Sequence, residues 1–149
     1  PGWDNQKART IFDQMLVKTS NKIDAVAAAN DGLGNAVITA LVAKKLNPIP
    51  VSGQDATAQG VQNVLAGWQS GTVYKGVKQE ADAAAALAIA LIKGTKAATN
   101  GAVNDGVRDV PSVLLTPTWI TKANYNVLFT EGFLKKADVC QGDYAKYCK

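Results

Sequence analysis

Residues 4–19 place Ile11, Phe12, Met15 and Leu16 on one helical face, the spacing of an amphipathic helix. A short apolar run, IDAVAAA from Ile23, follows, and its length suits a buried strand. It runs directly into Asn30-Asp31-Gly32. Helical spacing then returns in GLGNAVITALVAKKL, with Val37, Ala40 and Leu41 on the apolar side. Lys44 and Lys45 close that segment, where cations suit the C-terminal end of the helix dipole. NPIPVSGQD reads as a second strand that ends in Gly53-Gln54-Asp55. TAQGVQNVLAGWQSG sets Val61, Val64, Leu65 and Trp68 at helical spacing, with Gly71 as the expected stop. TVYKGV is a third strand, and an alanine-rich helix over 81–94 comes next, expected to be buried.

Strands and helices that alternate with short connections predict an α/β protein, a parallel sheet flanked by helices. Beyond Lys96 the rhythm is lost. AATNGAVNDGVRDV is small, polar and glycine-bearing and reads as a loop with a short strand in it. Ser112 to Thr116 is expected to be extended, and a helix capped by Thr121 to follow. The lysine-rich tail reads as a solvated face.

Composition narrows the function classes. The chain has 149 residues, enough for one domain of ordinary size with a core. Hydrophobic residues at 47% against 19% charged place it with folded globular chains. The net charge of +4 comes from scattered lysines (Lys7, Lys18, Lys22, Lys44, Lys45, Lys75, Lys78, Lys93, Lys96) and not from a basic stripe, so no nucleic-acid partner is expected. There is no histidine, which removes Ser-His-Asp and Cys-His catalysis and the commonest metal ligand. Two cysteines alone do not complete an ordinary zinc site, and neither GxxxxGK[ST] nor GxGxxG occurs, so no metal or cofactor is expected. Cys140 and Cys148, close together in VCQGDYAKYC, are expected to form a disulfide that ties down the tail. That pairing implies an oxidising, extracytoplasmic compartment; two free thiols in a cytosolic protein are the alternative. The apolar core of 81–94 is shorter than the ~20 residues that a bilayer crossing takes. Pro1 opens the sequence without a Met or a basic leader, as expected of a processed chain or a fragment.

The chemistry that remains lies at the strand ends: Asn30-Asp31, Gln54-Asp55 and Tyr74-Lys75. In an open parallel sheet, ligands bind in the crevice outside the carboxyl ends of the strands. An amide, a carboxylate and an ammonium placed there suit a polyol, whose hydroxyls both donate and accept. Trp3 offers an apolar surface for the C–H face of a sugar ring. Each of these residues also has a plainer reading. Asp31 and Asp55 stand where helix N-caps occur, Lys75 is an ordinary exposed lysine, and Tyr74 a core-edge aromatic. Trp68 and Trp119 read as packing. Asp31 and Asp55 as the acid and base of a glycosidase have no support in their spacing, so no enzyme is expected.

KIDAVAAANDGLG, PVSGQDATAQGVQNVLAGWQSGTVYKGV and NDGVRDVPSVLLTP carry a resemblance. The chain resembles the sugar-binding proteins of bacterial ABC importers, of ribose-binding-like fold, the D-xylose-binding branch above all and the multiple-sugar-binding branch next. The resemblance covers most of residues 2–135, and its most specific part is SGQDA followed by TVYK. It implies a periplasmic-binding-protein-like (type I) fold, with two α/β lobes joined by crossover strands and a monosaccharide held between them. Trp3 in GWDNQKA then matches the stacking aromatic, and Asn30, Asp55 and Lys75 match polar sugar contacts; Asp31 belongs to the same motif. The departure is in length, since the first lobe is absent. By resemblance, residues 1–76 belong to the C-terminal lobe, 77–114 contribute to the N-terminal lobe, and 115–149 return to the C-terminal lobe with the Cys-bearing tail. The implied role is solute binding for a membrane permease, outside the cytoplasm, with a xylose-type pentose favoured. The protein would be secreted or a lipoprotein held at the cell surface, with the missing lobe in a second chain or a cleaved part. The effector-binding domain of a sugar-responsive repressor is the alternative, and the Cys pair argues against it.

Overall fold

The structure is a computed structural model, and it describes residues 1–148. The chain divides into two units: Pro1–Tyr74 with the chain from Trp119 onward, and Lys75–Thr118.

In the first unit, Asp4 caps helix α1 (Asn5–Lys18), its carboxylate accepting from the Lys7 N–H at 3.0 Å. Asn30 caps α2 (Asp31–Ala43) and Thr57 caps α3 (Ala58–Ala66) in the same way. The apolar face of α1 is Ala8, Phe12 and Leu16; Ile11 and Met15 are partly exposed. Both instead line an open groove of about 270 Å³ beside residues 26–29. Helix α3 stops earlier than its apolar spacing predicts. Gly67 takes the left-handed conformation (φ 85°) at its C-cap, so Gly71 is not the stop and Trp68 lies past the helix end.

The parallel arrangement holds, but its strands are shorter than expected. The runs around Val26 and Val51 meet at a single parallel bridge, Val26 N–H donating to the Pro50 carbonyl (2.8 Å) and Ser52 N–H to the Val26 carbonyl (3.1 Å). Pro48 and Pro50 have no N–H to donate, which limits the ladder there. A second parallel bridge joins Gln54 to Val73 in β1 (Thr72–Tyr74), and β1 pairs with β4 (Thr118–Ile120). The segments therefore lie in the order 26, 51–54, 73 and 118–120 across the sheet.

Two cores hold this unit. One joins Phe12 and Leu16 to Val37, Ile38, Ala40, Leu41 and Val51. The other gathers Val61 and Leu65 of α3, Tyr74, Ile120, Tyr125, Leu128 and Val139. The tail is thus more than a solvated face: Leu128 and Val139 are fully buried. Cys140 and Cys148 are disulfide-bonded and pack against this second core. Thr121 does not cap a helix. Its N–H and hydroxyl both donate to Asn124 Oδ1, in a turn that precedes the short helix α5 (Val127–Thr130). Helix α6 (Lys136–Val139) and a 3₁₀ helix (Gly142–Tyr147) follow.

The second unit is α4 (Val77–Ile92) and an antiparallel hairpin, β2 (Gly101–Asn104) with β3 (Asp109–Ser112), in register Gly101↔Ser112 to Asn104↔Asp109. The loop expected here is a hairpin because Asp105 accepts from the N–H groups of Val107 and Arg108, and Asn104 from that of Gly106. Those bonds hold the Asp105 carboxyl below its usual range. Helix α4 departs furthest from expectation: none of its residues is buried, and Leu91 and Ile92 are 74% and 86% exposed. The unit has only a two-stranded hairpin to set against it. Ala83, Ala86, Leu87 and Ala90, with Ala98 and Val113, border an open hollow of about 350 Å³.

Candidate functional site

Three strand ends come together on one edge of the first unit. Asp31 N–H donates to the Gln54 carbonyl (2.9 Å), Gln54 Nε2 to the Ala29 carbonyl (3.3 Å), and Asp55 N–H to the Val73 carbonyl (2.8 Å). These bonds set Asn30, Asp55 and the end of β1 side by side.

Asn30 serves the fold and keeps chemistry in hand. Its Oδ1 caps α2 by accepting from the Leu33 N–H at 2.9 Å. Its Nδ2 carries two further donors, and its side chain is half-buried at the helix N-terminus. Asp55 has φ 96° and Ala56 φ 48°. The left-handed region is unfavourable for residues with a Cβ, and non-glycine residues held there cluster at ligand clamps. Ala56 N–H donates to Thr72 Oγ1 (3.0 Å) and Thr57 N–H to Asp31 Oδ2 (2.8 Å), so three successive amides, 55 to 57, are anchored. The segment is fixed, and Asp55 stays half-exposed.

Asp31 departs from the expectation that it faces a ligand. It is 1% exposed, and its carboxylate turns inward. Oδ2 accepts from the N–H and hydroxyl of Thr57 (2.8 and 3.0 Å), and Oδ1 from Gln69 Nε2 (2.8 Å). Gln69 Nε2 also donates to the Gly71 carbonyl (3.1 Å), while its buried Oε1 has no partner among the described residues. Gly53 and Gly60 make the room: a Cβ at either would overlap the Asp31 carboxylate. A buried charge is tolerable only when it is hydrogen-bonded in this way.

Trp3 is 67% exposed, in a left-handed turn (φ 63°) just ahead of the α1 cap. Asn5, two residues on, lies against Gly32, with its Oδ1 2.8 Å from where a Cβ would stand. The start of α1 therefore sits at the start of α2, at the end of the sheet that presents Asn30. Tyr74 belongs to the core. Its hydroxyl donates to Glu131 Oε2 (2.8 Å) and its ring packs on Phe133. Burial raises the phenol above its ordinary value, and the Glu131 hydrogen bond and charge add to the effect. Lys75, the next residue in the chain, is exposed and opens the second unit.

The sequence did not signal Gln69 or Thr57 as members of this edge. Thr57 shows itself only as a helix cap, and Gln69 is joined to Asp31 across 38 positions by tertiary geometry alone.

Residues 1–96 match the periplasmic binding protein domain family, well over half of the chain, and the chain belongs to that family. It is 38% identical over 140 residues to the D-xylose-binding periplasmic protein of Escherichia coli (strain K12), which spans 93% of this chain and 42% of that protein. The protein of the same description from Haemophilus influenzae is 36% identical over 139 residues, with 92% and 42% covered. Among solved structures, a carbohydrate transporter solute binding protein from Chloroflexus aurantiacus in complex with D-glucose superposes with a TM-score of 0.82 at 30% identity, over 91% of this chain and 42% of that one. The chain thus has the type I periplasmic-binding-protein fold and spans about two fifths of the length of the curated relatives it matches.

Proposed function

We propose that this chain forms the C-terminal-lobe portion of an extracytoplasmic sugar-binding component of an ABC importer, which captures a monosaccharide without transforming it. The observation that carries this reading is the strand-end edge, where Asn30 and an Asp55 held at φ 96° stand side by side on neighbouring strands. The carboxylate accepts from two sugar hydroxyls, Asn30 Nδ2 donates to a third, and Trp3 stacks on the ring. Residues 1–76 and 115–149 build on this lobe and 77–114 on the other. Helix α4, none of whose residues is buried, supports that assignment, since exposed apolar residues such as Leu91 and Ile92 call for a partner. The names of the relatives favour a xylose-type pentose. A sugar-filled cleft then meets a membrane permease, and the tail disulfide suits the oxidising side of the membrane.

Calorimetry on the two-lobed protein tests the reading, with xylose, ribose, glucose and galactose titrated into the parent and into Asp55→Ala. Xylose should bind most tightly and Asp55→Ala should weaken it by roughly 2–4 kcal/mol, because sugar hydroxyls are left buried without an acceptor. Equal binding of every sugar by parent and variant would place the site elsewhere.

A further inference from the structure

We infer that Asp31 is a positioning residue: its buried carboxylate, through Thr57, holds Asp55 in the left-handed conformation that aims the Asp55 side chain. The inference rests on the proposed sugar site and assigns a role inside it.

Three features point to this. Asp31 touches all the parts that must be in register. It is the first residue of α2, directly after Asn30; its oxygens hold Thr57; and through Gln69 it reaches the Gly71 carbonyl, just ahead of β1. Next, the segment that it holds is the strained one. Asp55 and Ala56 both have positive φ, and such conformations persist only where the surroundings over-determine them. Asp55 N–H is held by β1 and Ala56 N–H by Thr72, so Asp31 supplies the third of three consecutive backbone anchors, through its carboxylate. Finally, the space is reserved for a carboxylate of this length. Gly53 and Gly60 admit it, and each would collide with it if it carried a Cβ. Thr57 both donates to Asp31 and accepts from Gly60 N–H (3.0 Å), so the clamp and the α3 cap share one hydroxyl.

Asp31→Asn keeps the shape and reverses one polarity. With its amide NH₂ in the place of Oδ2 it faces the Thr57 N–H, donor against donor, and the clamp is broken directly; with the NH₂ in the place of Oδ1 it faces Gln69 Nε2, again donor against donor. If Gln69 turns its amide over, Oε1 meets the Gly71 carbonyl, acceptor against acceptor. The clamp loosens in either case.

Two measurements on the two-lobed protein test this. Amide hydrogen exchange at Asp55, Ala56 and Thr57 should quicken on the order of tenfold in Asp31→Asn, while the helical amides of Leu41 and Val64 keep the parent rate. Sugar affinity by calorimetry should fall on the order of tenfold in Asp31→Asn. In an Asp55→Ala background the same substitution should change affinity less than about twofold, because it acts through Asp55. Thr57→Ser, which keeps the hydroxyl, should restore parent behaviour where Thr57→Val loses it; this pair carries the test if Asp31→Asn does not fold. Unchanged exchange at 55–57, or an affinity loss that adds in full to that of Asp55→Ala, overturns the inference. If exchange quickens but Asp55→Ala binds every sugar like the parent, the clamp stands and the sugar site assigned to Asp55 falls.

Discussion

Asp55 joins an unfavourable backbone conformation to the side chain with most to offer a polyol. A glycine there would relieve the backbone. Asp55→Gly should therefore be more stable than Asp55→Ala by about 1 kcal/mol, since only the alanine keeps a Cβ at φ 96°. Paired thermal melts of the two variants check this, and equal melting temperatures would mean that the conformation carries no strain. Tyr74 supports a second prediction at this scale. Its phenol is raised above 10 by burial and by Glu131, so the folded state holds the proton more tightly than the unfolded state. The stability linked to Tyr74 is then complete below pH 10 and is lost as pH rises past it. Melts from pH 9 upward should fall more steeply for the parent than for Tyr74→Phe, and parallel curves would show no such linkage.

At the level of elements, the carboxyl ends of the central strands are held by side-chain bonds more than by ladders. One bridge joins the Val26 and Val51 segments, and Ser52 Oγ adds a bond to the Ala28 carbonyl at 2.9 Å. Gly53→Ala should destabilise by about 1–3 kcal/mol, the usual cost of forcing atoms into filled space, because its Cβ would displace both Asp31 and Gln69. Gly132→Ala, at a position with no atom within 4 Å, meets no such collision and pays only for its positive φ. Denaturant midpoints of the two variants should separate accordingly; equal losses would put the effect in the backbone alone. In the β2–β3 hairpin, the Asp105 carboxyl is held below its usual range by backbone N–H groups. Its contribution is present at neutral pH and is lost only as pH falls through that lowered value. Amide exchange in the turn should quicken below that point in the parent, and be fast at neutral pH already in Asp105→Ala.

For the molecule as a whole, the uneven burial is the main physical fact. The first unit has two cores, whereas α4 has no buried residue. Leu91→Lys with Ile92→Lys should leave the melting temperature of the 149-residue chain nearly unchanged and reduce its self-association, as sedimentation would show. In the two-lobed protein the same pair should be destabilising if α4 packs there. The disulfide closes a short loop, with a separation of 8 residues, so its removal by Cys140→Ser with Cys148→Ser should lower stability by at most about 3 kcal/mol. That loss belongs to the core around α3 and the tail, where the loop is seated.

The sequence by itself determined the alternation of helices and strands and the grouping of Asn30, Asp55 and the end of β1. These follow from local periods and from where polar residues interrupt apolar runs. It misplaced the caps, which are Asn30 and Thr57 and not Asp31 and Asp55. It placed the disulfide correctly from two closely spaced cysteines. It overstated the strands, because periodicity does not register how few ladder bonds proline leaves available. It expected a buried α4 because apolar character shows that a helix needs cover, and does not show whether cover is present in the same chain. Whether Asp31 faces outward or inward was decided only by the tertiary structure. Asn30 and Asp31 are equally polar neighbours in sequence, yet one caps its own helix while the other reaches across 26 residues to Thr57 and 38 to Gln69. Burial of a carboxylate depends on donors brought from elsewhere in the chain, and no local pattern encodes where those donors will stand.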